Sequence, residues 1–234
     1  YILIRQTLAR RLFENARKLI CVSEYTRRKL LEVVPFSLEP TVIHHGMEIP
    51  DVDSISKKGT TLHKDLIRQR CLEPDVVIIV YVSRLEPSKG HDLILQCLSS
   101  DDELKKKTHT VFVGGGSRLQ ELKTMASEKG LADQVTFTGY VPRDEVLQYL
   151  SFCDLSVFLS CHPLETFGLV LLEAMAMGKP VVALRHGGMV EFVADGKCGF
   201  LVDDRDVGDK LRRLVNDVES VSYTHLRAHE TVRN

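Results

Sequence analysis

The sequence predicts an α/β fold built on a Rossmann-like, doubly wound parallel sheet. Three observations carry that expectation: short apolar runs alternate with helical patterns almost throughout, the runs from Val76 to Val202 are dense in Val, Ile, Leu and Phe instead of alternating apolar with polar, and the polar motifs follow directly on such runs. Strands that are apolar on both faces belong to sheets covered by helices on both sides. In such sheets ligands sit beyond the carboxyl ends of the strands, so the loops after each strand are where chemistry is sought.

Taken in order, Lys18 to Val22 reads as a strand, Glu24 to Val33 as a helix and Thr41 to His44 as a strand. The stretch Pro50 to Lys64 is rich in Asp, Ser, Lys, Gly and Thr without an apolar period, and is expected to be a surface loop leading into a helix at Leu62 to Arg70. The main block then places strands at Val76 to Val82, Thr110 to Val113, Val135 to Thr138, Leu155 to Leu159, Pro180 to Leu184 and Phe200 to Val202. Helices fall between and after them, at His91 to Leu98, Arg118 to Lys129, Asp144 to Phe152, Phe167 to Met177, Met189 to Ala194 and Asp206 to Val215, several behind Ser or Asp caps. Lys105 to Lys107 reads as a solvated helix end. The segment Val221 to Asn234 lacks apolar periodicity, resembles translated adaptor sequence and is set aside, together with His225 and His229.

Composition narrows the classes. With 44% hydrophobic and 27% charged residues over 234 positions, the chain is expected to bury one well-filled core or two small ones. A formal net charge of -1 gives no overall attraction to nucleic acid or acidic lipid, so no nucleic-acid partner is expected and any anion site must be local. Six cysteines, widely spread and without a C-x-x-C pair, read as reduced thiols in cytosol. No apolar run approaches the roughly 20 residues needed to span a bilayer. The chain opens at Tyr1, already in a helical pattern, and reads as a truncation; the basic helix Arg5 to Lys18 is a candidate for weak peripheral contact with an anionic membrane, with a solvated or domain-facing helix as the favoured alternative.

Four loops could carry chemistry. Arg84 and Lys89 frame Ser83 to Gly90 after a strand, where a planar fork of donors and a mobile point charge could grip adjacent phosphates; taken alone, a solvent-facing turn is the stronger reading. Glu165 to Glu173 also follows a strand, and Glu173 lies inside an otherwise apolar helix, where a carboxylate needs donors such as ribose hydroxyls or a salt-bridged neighbour. The amides of Phe167, Gly168 and Leu169 would be free at that helix start, and Glu165 could accept hydrogen bonds from sugar hydroxyls. His186-Gly187-Gly188 is a second anion candidate, evenly matched by a plain turn. Gly114-Gly115-Gly116 fails the dinucleotide fingerprint because Leu119 stands at its third glycine position, and no G-x-x-x-x-G-K-[ST] loop occurs.

As a set these residues resemble the retaining glycosyltransferases of family 4, which have the GT-B fold. The resemblance rests on VSEYTRRKL at Val22 to Leu30, VIHHGME at Val42 to Glu48, VSRLEPSKG at Val82 to Gly90, VGGG at Val113 to Gly116 and VTFTGYVP at Val135 to Pro142. It continues through ETFGLVLLEAMAMGKPVVA at Glu165 to Ala183 and GGMVEFVADGKCGFLV at Gly187 to Val202. Ser83 and His45 stand where that family usually has glycine and often has asparagine.

The resemblance implies transfer of a sugar, with retention, from a nucleotide-diphosphate-sugar such as a UDP- or GDP-sugar to a glycan, lipid-linked or small-molecule acceptor, without a metal or other cofactor. Arg84 and Lys89 would bind the diphosphate and stabilise the leaving nucleoside diphosphate, with Glu165 on the sugar as the third catalytic residue. Tyr140 and Val141 would hold the base by backbone contacts, Phe167, Gly168 and Leu169 would present amides, and Glu173 would bind the ribose, with Gly187 and Gly188 nearby. It also implies that residues 1–45 are the end of an N-terminal acceptor domain and its link, and that 46–220 are the donor-binding domain, with 221–234 a non-native or disordered tail. The alternatives are a sugar-nucleotide epimerase of the same fold and a non-catalytic nucleotide-sugar-binding module; no acid/base pair for epimerisation is identifiable. The expected location is cytoplasmic, at most peripheral to a membrane's cytoplasmic face.

Overall fold

Six parallel strands in the order β5-β4-β3-β6-β7-β8 form the centre of the computed structural model, which describes residues 16–33, 39–47, 51–162 and 165–217. The strands are β3 (Val77–Val82), β4 (Thr108–Val113), β5 (Val135–Gly139), β6 (Leu155–Phe158), β7 (Val181–Leu184) and β8 (Gly199–Val202). Every neighbouring pair is parallel. The chain steps outward from β3 through β4 to β5, returns to lay β6 on the other side of β3, and steps outward again to β8. That reversal is the topological switch point of a doubly wound sheet.

The expected fold class is therefore the observed one. Ile78, Ile79, Val80 and Tyr81 of β3 are almost wholly inaccessible, as are all four residues of β6 and of β7. Helices α3 (His91–Ser100), α4 (Asp102–Lys107), α5 (Leu119–Glu128), α6 (Arg143–Phe152), α7 (Leu169–Ala176) and α8 (Val207–Asn216) complete the layers. Lys105 to Lys107 do end a helix, and Asp101 caps its start by accepting from Glu103 and Leu104 amides at 3.0 and 3.1 Å. The helix expected at Met189 to Ala194 is a single 3₁₀ turn at Gly187–Glu191.

One expectation is overturned. Pro50 to Lys64 is not a loop from position 52 onward, because helix α2 runs Val52–Arg70. Asp51 caps it by accepting from the Ser54 amide at 3.1 Å, and Gly59 sits where a side chain would run into Ser151 and the Gln148 carbonyl of α6. The buried stripe is made of Gly59 and Leu66, with Val52 and Ile55 partly covered. A stripe so sparse in large residues shows no apolar period.

Residues ahead of α2 form a small parallel pair, β1 (Ile20–Cys21) with β2 (Thr41–Val42), beside helix α1 (Glu24–Val33). This piece is joined to the six-stranded unit by Glu191, whose carboxylate accepts from the Glu24 and Tyr25 amides at 2.9 Å each and meets His44 Nε2 at 3.2 Å. A carboxylate at a helix start satisfies amides that have no partner in the helix. Ser23 Oγ also donates to the Thr166 carbonyl at 2.9 Å. The basic segment Arg5 to Lys18 up to position 15, and the tail Val221 to Asn234, lie outside the described residues. All six cysteines are free thiols, and among the described residues no helix is long and apolar enough to cross a membrane.

Two histidines are locked inside. His91 and His109 are fully buried, with Nε2 paired to Ser83 Oγ and to Thr136 Oγ1 at 2.8 Å each. Burial lowers both from 6.5 to about 4, because the charged imidazolium would lose its water. A folded value below the unfolded one means that the unfolded chain takes up protons first, so stability falls as pH drops from about 6.5 toward about 4. Each histidine is expected to contribute about 1.4 kcal/mol per pH unit inside that window. Urea midpoints between about pH 7 and pH 5 check this, and His109→Gln should flatten the dependence by about half.

Candidate functional site

Strand β3 ends at Val82, and Ser83 to Gly90 turn back across the carboxyl edge of the sheet before α3 begins. Several bonds fix this turn. The buried Tyr81 hydroxyl donates to the Lys89 carbonyl and accepts from the Leu159 amide at 2.7 Å, and burial keeps this phenol protonated far above its ordinary range. Leu85 is fully buried; its amide donates to the Gly115 carbonyl at 2.9 Å and its carbonyl accepts from the Arg118 amide at 3.0 Å. Glu86 accepts from Ser117 Oγ at 2.8 Å and from the Ser117 amide at 3.3 Å.

The glycine run after β4 explains that close lacing. A Cβ at Gly114 would collide with the Ser83 carbonyl oxygen, and one at Gly116 with that of Leu85. These glycines let two loops touch, which accounts for a glycine-rich turn that lacks the dinucleotide fingerprint.

The carboxyl edge holds a groove of about 470 Å³. Arg84, Lys89, Tyr140, Val141, Glu165, Gly168, Leu169 and Glu173 all line it, although they come from three separate segments: the turn after β3, the exit of β5, and the stretch from β6 into α7. Lys89 follows β3 and Phe158 closes β6, so the groove opens at the switch point between those strands. A hollow of about 450 Å³ at the amino edge mixes Arg70 and Lys105 to Lys107 with Glu73, Asp75 and Asp133. It lies away from the strand ends where sites of this fold form.

Within the groove the charges are arranged in pairs. Lys89 Nζ donates to Glu165 Oε2 at 2.6 Å, and Ser160 Oγ donates to the same oxygen at 2.9 Å. Both side chains of this ion pair are largely covered, at 15% and 13% exposed, and the Lys89 ammonium stands 5.7 Å from the centre of the Phe158 ring. Arg84 is exposed and forms no ion pair among the described residues. It is a cation left uncommitted at the groove wall.

Glu173 is only 12% exposed and accepts from Arg143 Nη2 at 2.9 Å. Burial raises its carboxyl above the usual range, and Arg143 partly counters that rise. Next to it, helix α7 begins behind Gly168, which caps it in the left-handed region at φ 80°. The amides of Phe167, Gly168 and Leu169 have no protein acceptor among the described residues, as the start of a helix leaves them. Tyr140 is 85% exposed and Leu169 45% exposed.

The remaining sequence candidates stand behind the groove. The Phe167 ring is buried against Phe192 with centroids 5.0 Å apart, and Phe167 itself is not among the residues lining the groove. Gly187 and Gly188 are buried against the Glu165-Thr166 backbone, where any Cβ would strike the Glu165 or the Thr166 carbonyl oxygen. Arg143 and Ser160 were not singled out by sequence. Arg143 carries a usable signal, a cation at a helix start directly after the Tyr140-Val141 strand exit; Ser160 carries none.

Residues 64–230 match the family described as Glycosyl transferases group 1. A GDP-mannose-dependent alpha-(1-6)-phosphatidylinositol monomannoside mannosyltransferase of Mycolicibacterium smegmatis is 32% identical over 225 residues, covering 92% of this chain and 56% of that protein. A D-inositol 3-phosphate glycosyltransferase 2 of Catenulispora acidiphila is 37% identical over 147 residues, covering 59% of this chain and 34% of that protein. The chain thus spans about half or less of the length of the curated relatives it matches. Among solved structures, HepE of Anabaena in complex with UDP superposes with a TM-score of 0.82 at 24% identity, over 99% of this chain and 63% of that one. At that identity the likeness is one of fold.

Proposed function

The chain belongs to the group 1 glycosyl transferases, and on that premise we propose that its groove holds a nucleotide-activated sugar and presents it for transfer to an acceptor with retention. The observation that carries this reading is the convergence of Arg84, Lys89, Glu165 and Glu173, with free helix-start amides, in one groove at the switch point. In the proposed division, residues 46–220 bind the donor and residues 1–45 lead in from a region that binds the acceptor.

The chemistry follows from charge. As the bond between sugar and diphosphate breaks and the acceptor's oxygen bonds to the sugar carbon in its place, the leaving diphosphate takes the electron pair and accumulates negative charge, which Arg84 and Lys89, both lining the groove, would neutralise. Glu165 would accept hydrogen bonds from sugar hydroxyls and Glu173 from the ribose, while Tyr140 and Val141 flank the base. With two side-chain cations in place, the reading calls on no metal. One mycobacterial relative is named for GDP-mannose and one neighbour was solved with UDP-glucose, so both bases belong in the test.

The test is thermal unfolding of the purified chain with UDP, GDP and ADP, each with and without EDTA. One nucleotide is expected to stabilise the wild type by mass action, about 2.7 kcal/mol at about 100-fold excess over Kd, equally in both arms. Arg84→Ala should leave the unliganded midpoint unchanged, since Arg84 is exposed and unpaired among the described residues, and weaken nucleotide binding by about 10- to 100-fold. A folded chain that no nucleotide stabilises, or an Arg84→Ala chain that binds as tightly as wild type, defeats the reading. Vesicles of anionic lipid form a further arm, which asks whether the basic segment Arg5 to Lys18 brings the chain to a membrane surface.

A further inference from the structure

We propose that Arg143 is a positioning residue for the nucleoside end of the groove, holding the Glu173 carboxylate ionised and turned toward a ribose. The inference rests on the donor-binding reading above and deepens it. Glu173 lies on α7, a helix of otherwise apolar residues, and its largely covered side chain lines the groove at 12% exposure. A carboxylate accepts from two hydroxyls only while ionised; protonated, it becomes a donor on one oxygen. At this largely covered position the neutral form gains, because burial disfavours charge.

Arg143 opposes that tendency. It is the first residue of α6, behind the extended Pro142, so the exit of β5 past Tyr140 and Val141 aims it across the groove mouth. Its side chain is 75% exposed and thus little desolvated, while its Nη2 reaches Glu173 Oε1 at 2.9 Å. The other charged groups of the groove are Arg84 and Lys89 on the β3–α3 turn and Glu165 before α7; Lys89 and Glu165 are paired with each other. Helix α7 contains no second charged residue, and Lys179 beyond its end acts on Cys153 and Asp154. Among the described residues, Arg143 is the sole ion-pair partner of Glu173.

The measurement is calorimetric titration of UDP and GDP into wild type, Arg143→Ala, Arg143→Lys, Glu173→Gln and the Arg143→Ala/Glu173→Gln pair, from about pH 8 down to about pH 5.5. Without Arg143 the carboxyl protonates at higher pH, so the Arg143→Ala deficit should be larger at the acidic end of the range than at the alkaline end. Arg143→Lys should restore most of it, and adding Arg143→Ala to Glu173→Gln should cost nothing further. A deficit uniform across pH, or equal on both backgrounds, overturns the proposal while leaving the donor-binding reading in place. A wild type that binds neither nucleotide ends both.

Discussion

Lys89→Met is expected to lower the thermal midpoint of the unliganded chain by about 5–10 °C and to abolish stabilisation by nucleoside diphosphate. The first effect follows from the Lys89–Glu165 pair, at 2.6 Å with both side chains largely covered. Removing one partner strands the other charge in a poorly hydrated place, which costs about 3 kcal/mol, or several degrees in a chain of this size. Ser160 remains as a donor to Glu165 and keeps the loss from being larger. The second effect follows from the loss of a cation beside Arg84, and more than about 100-fold in affinity is expected. Glu165→Gln should act in the opposite sense on nucleotide alone: with its counter-charge gone, Lys89 is free to meet phosphate, and UDP or GDP should bind about 3- to 10-fold tighter. An unchanged midpoint for Lys89→Met, or weaker diphosphate binding by Glu165→Gln, would show that the pair is not what holds Lys89.

Gly187→Ala is the second large effect, expected to cost about 3 kcal/mol or more and to remove nucleotide binding although position 187 lies behind the groove. Two causes add. The backbone there is left-handed at φ 65°, and a methyl group would drive into the Glu165 carbonyl oxygen. Glu165 cannot yield without carrying its carboxylate away from Lys89. Gly196→Ala isolates the first cause, since φ there is 74° and a Cβ meets nothing within 4 Å; it should cost about 1 kcal/mol and spare the site. Paired urea melts and UDP or GDP thermal shifts decide the matter, and equal losses for the two variants would refute the collision argument.

The sheet was legible because its strands are buried on both faces and therefore read as unbroken apolar runs, as in Val77–Val82 and Val181–Leu184. The first half of helix α2, ahead of the helix expected at Leu62 to Arg70, was not, because it packs through Gly59 and a sparse stripe in which no large residue recurs. In the groove, Arg84, Lys89, Glu165 and Glu173 were legible as charges in loops after strands or inside an apolar helix, where their presence asks for a reason. The partnerships were not. Lys89 lies 76 residues from Glu165 and Arg143 lies 30 from Glu173, separations that only the strand order brings together. For His186-Gly187-Gly188 the sequence leaves an anion candidate and a plain turn evenly matched, and does not disclose that Gly187 and Gly188 press against the Glu165-Thr166 backbone.

The reversal of the sheet between β3 and β6 also bears on how the chain comes into being. Strands β3 to β5 lie consecutively along the polypeptide on one side and β6 to β8 consecutively on the other, so each half has its own short-range contacts. Because synthesis runs from the N-terminus, the segments carrying Arg84, Lys89 and Tyr140 are made before those carrying Glu165 and Glu173. Neither half alone encloses the crevice. On the proposed donor-binding reading, nucleotide would be recognised only after the halves have met, which would make ligand a selective trap for the finished molecule and a sensitive reporter of chains that stall midway.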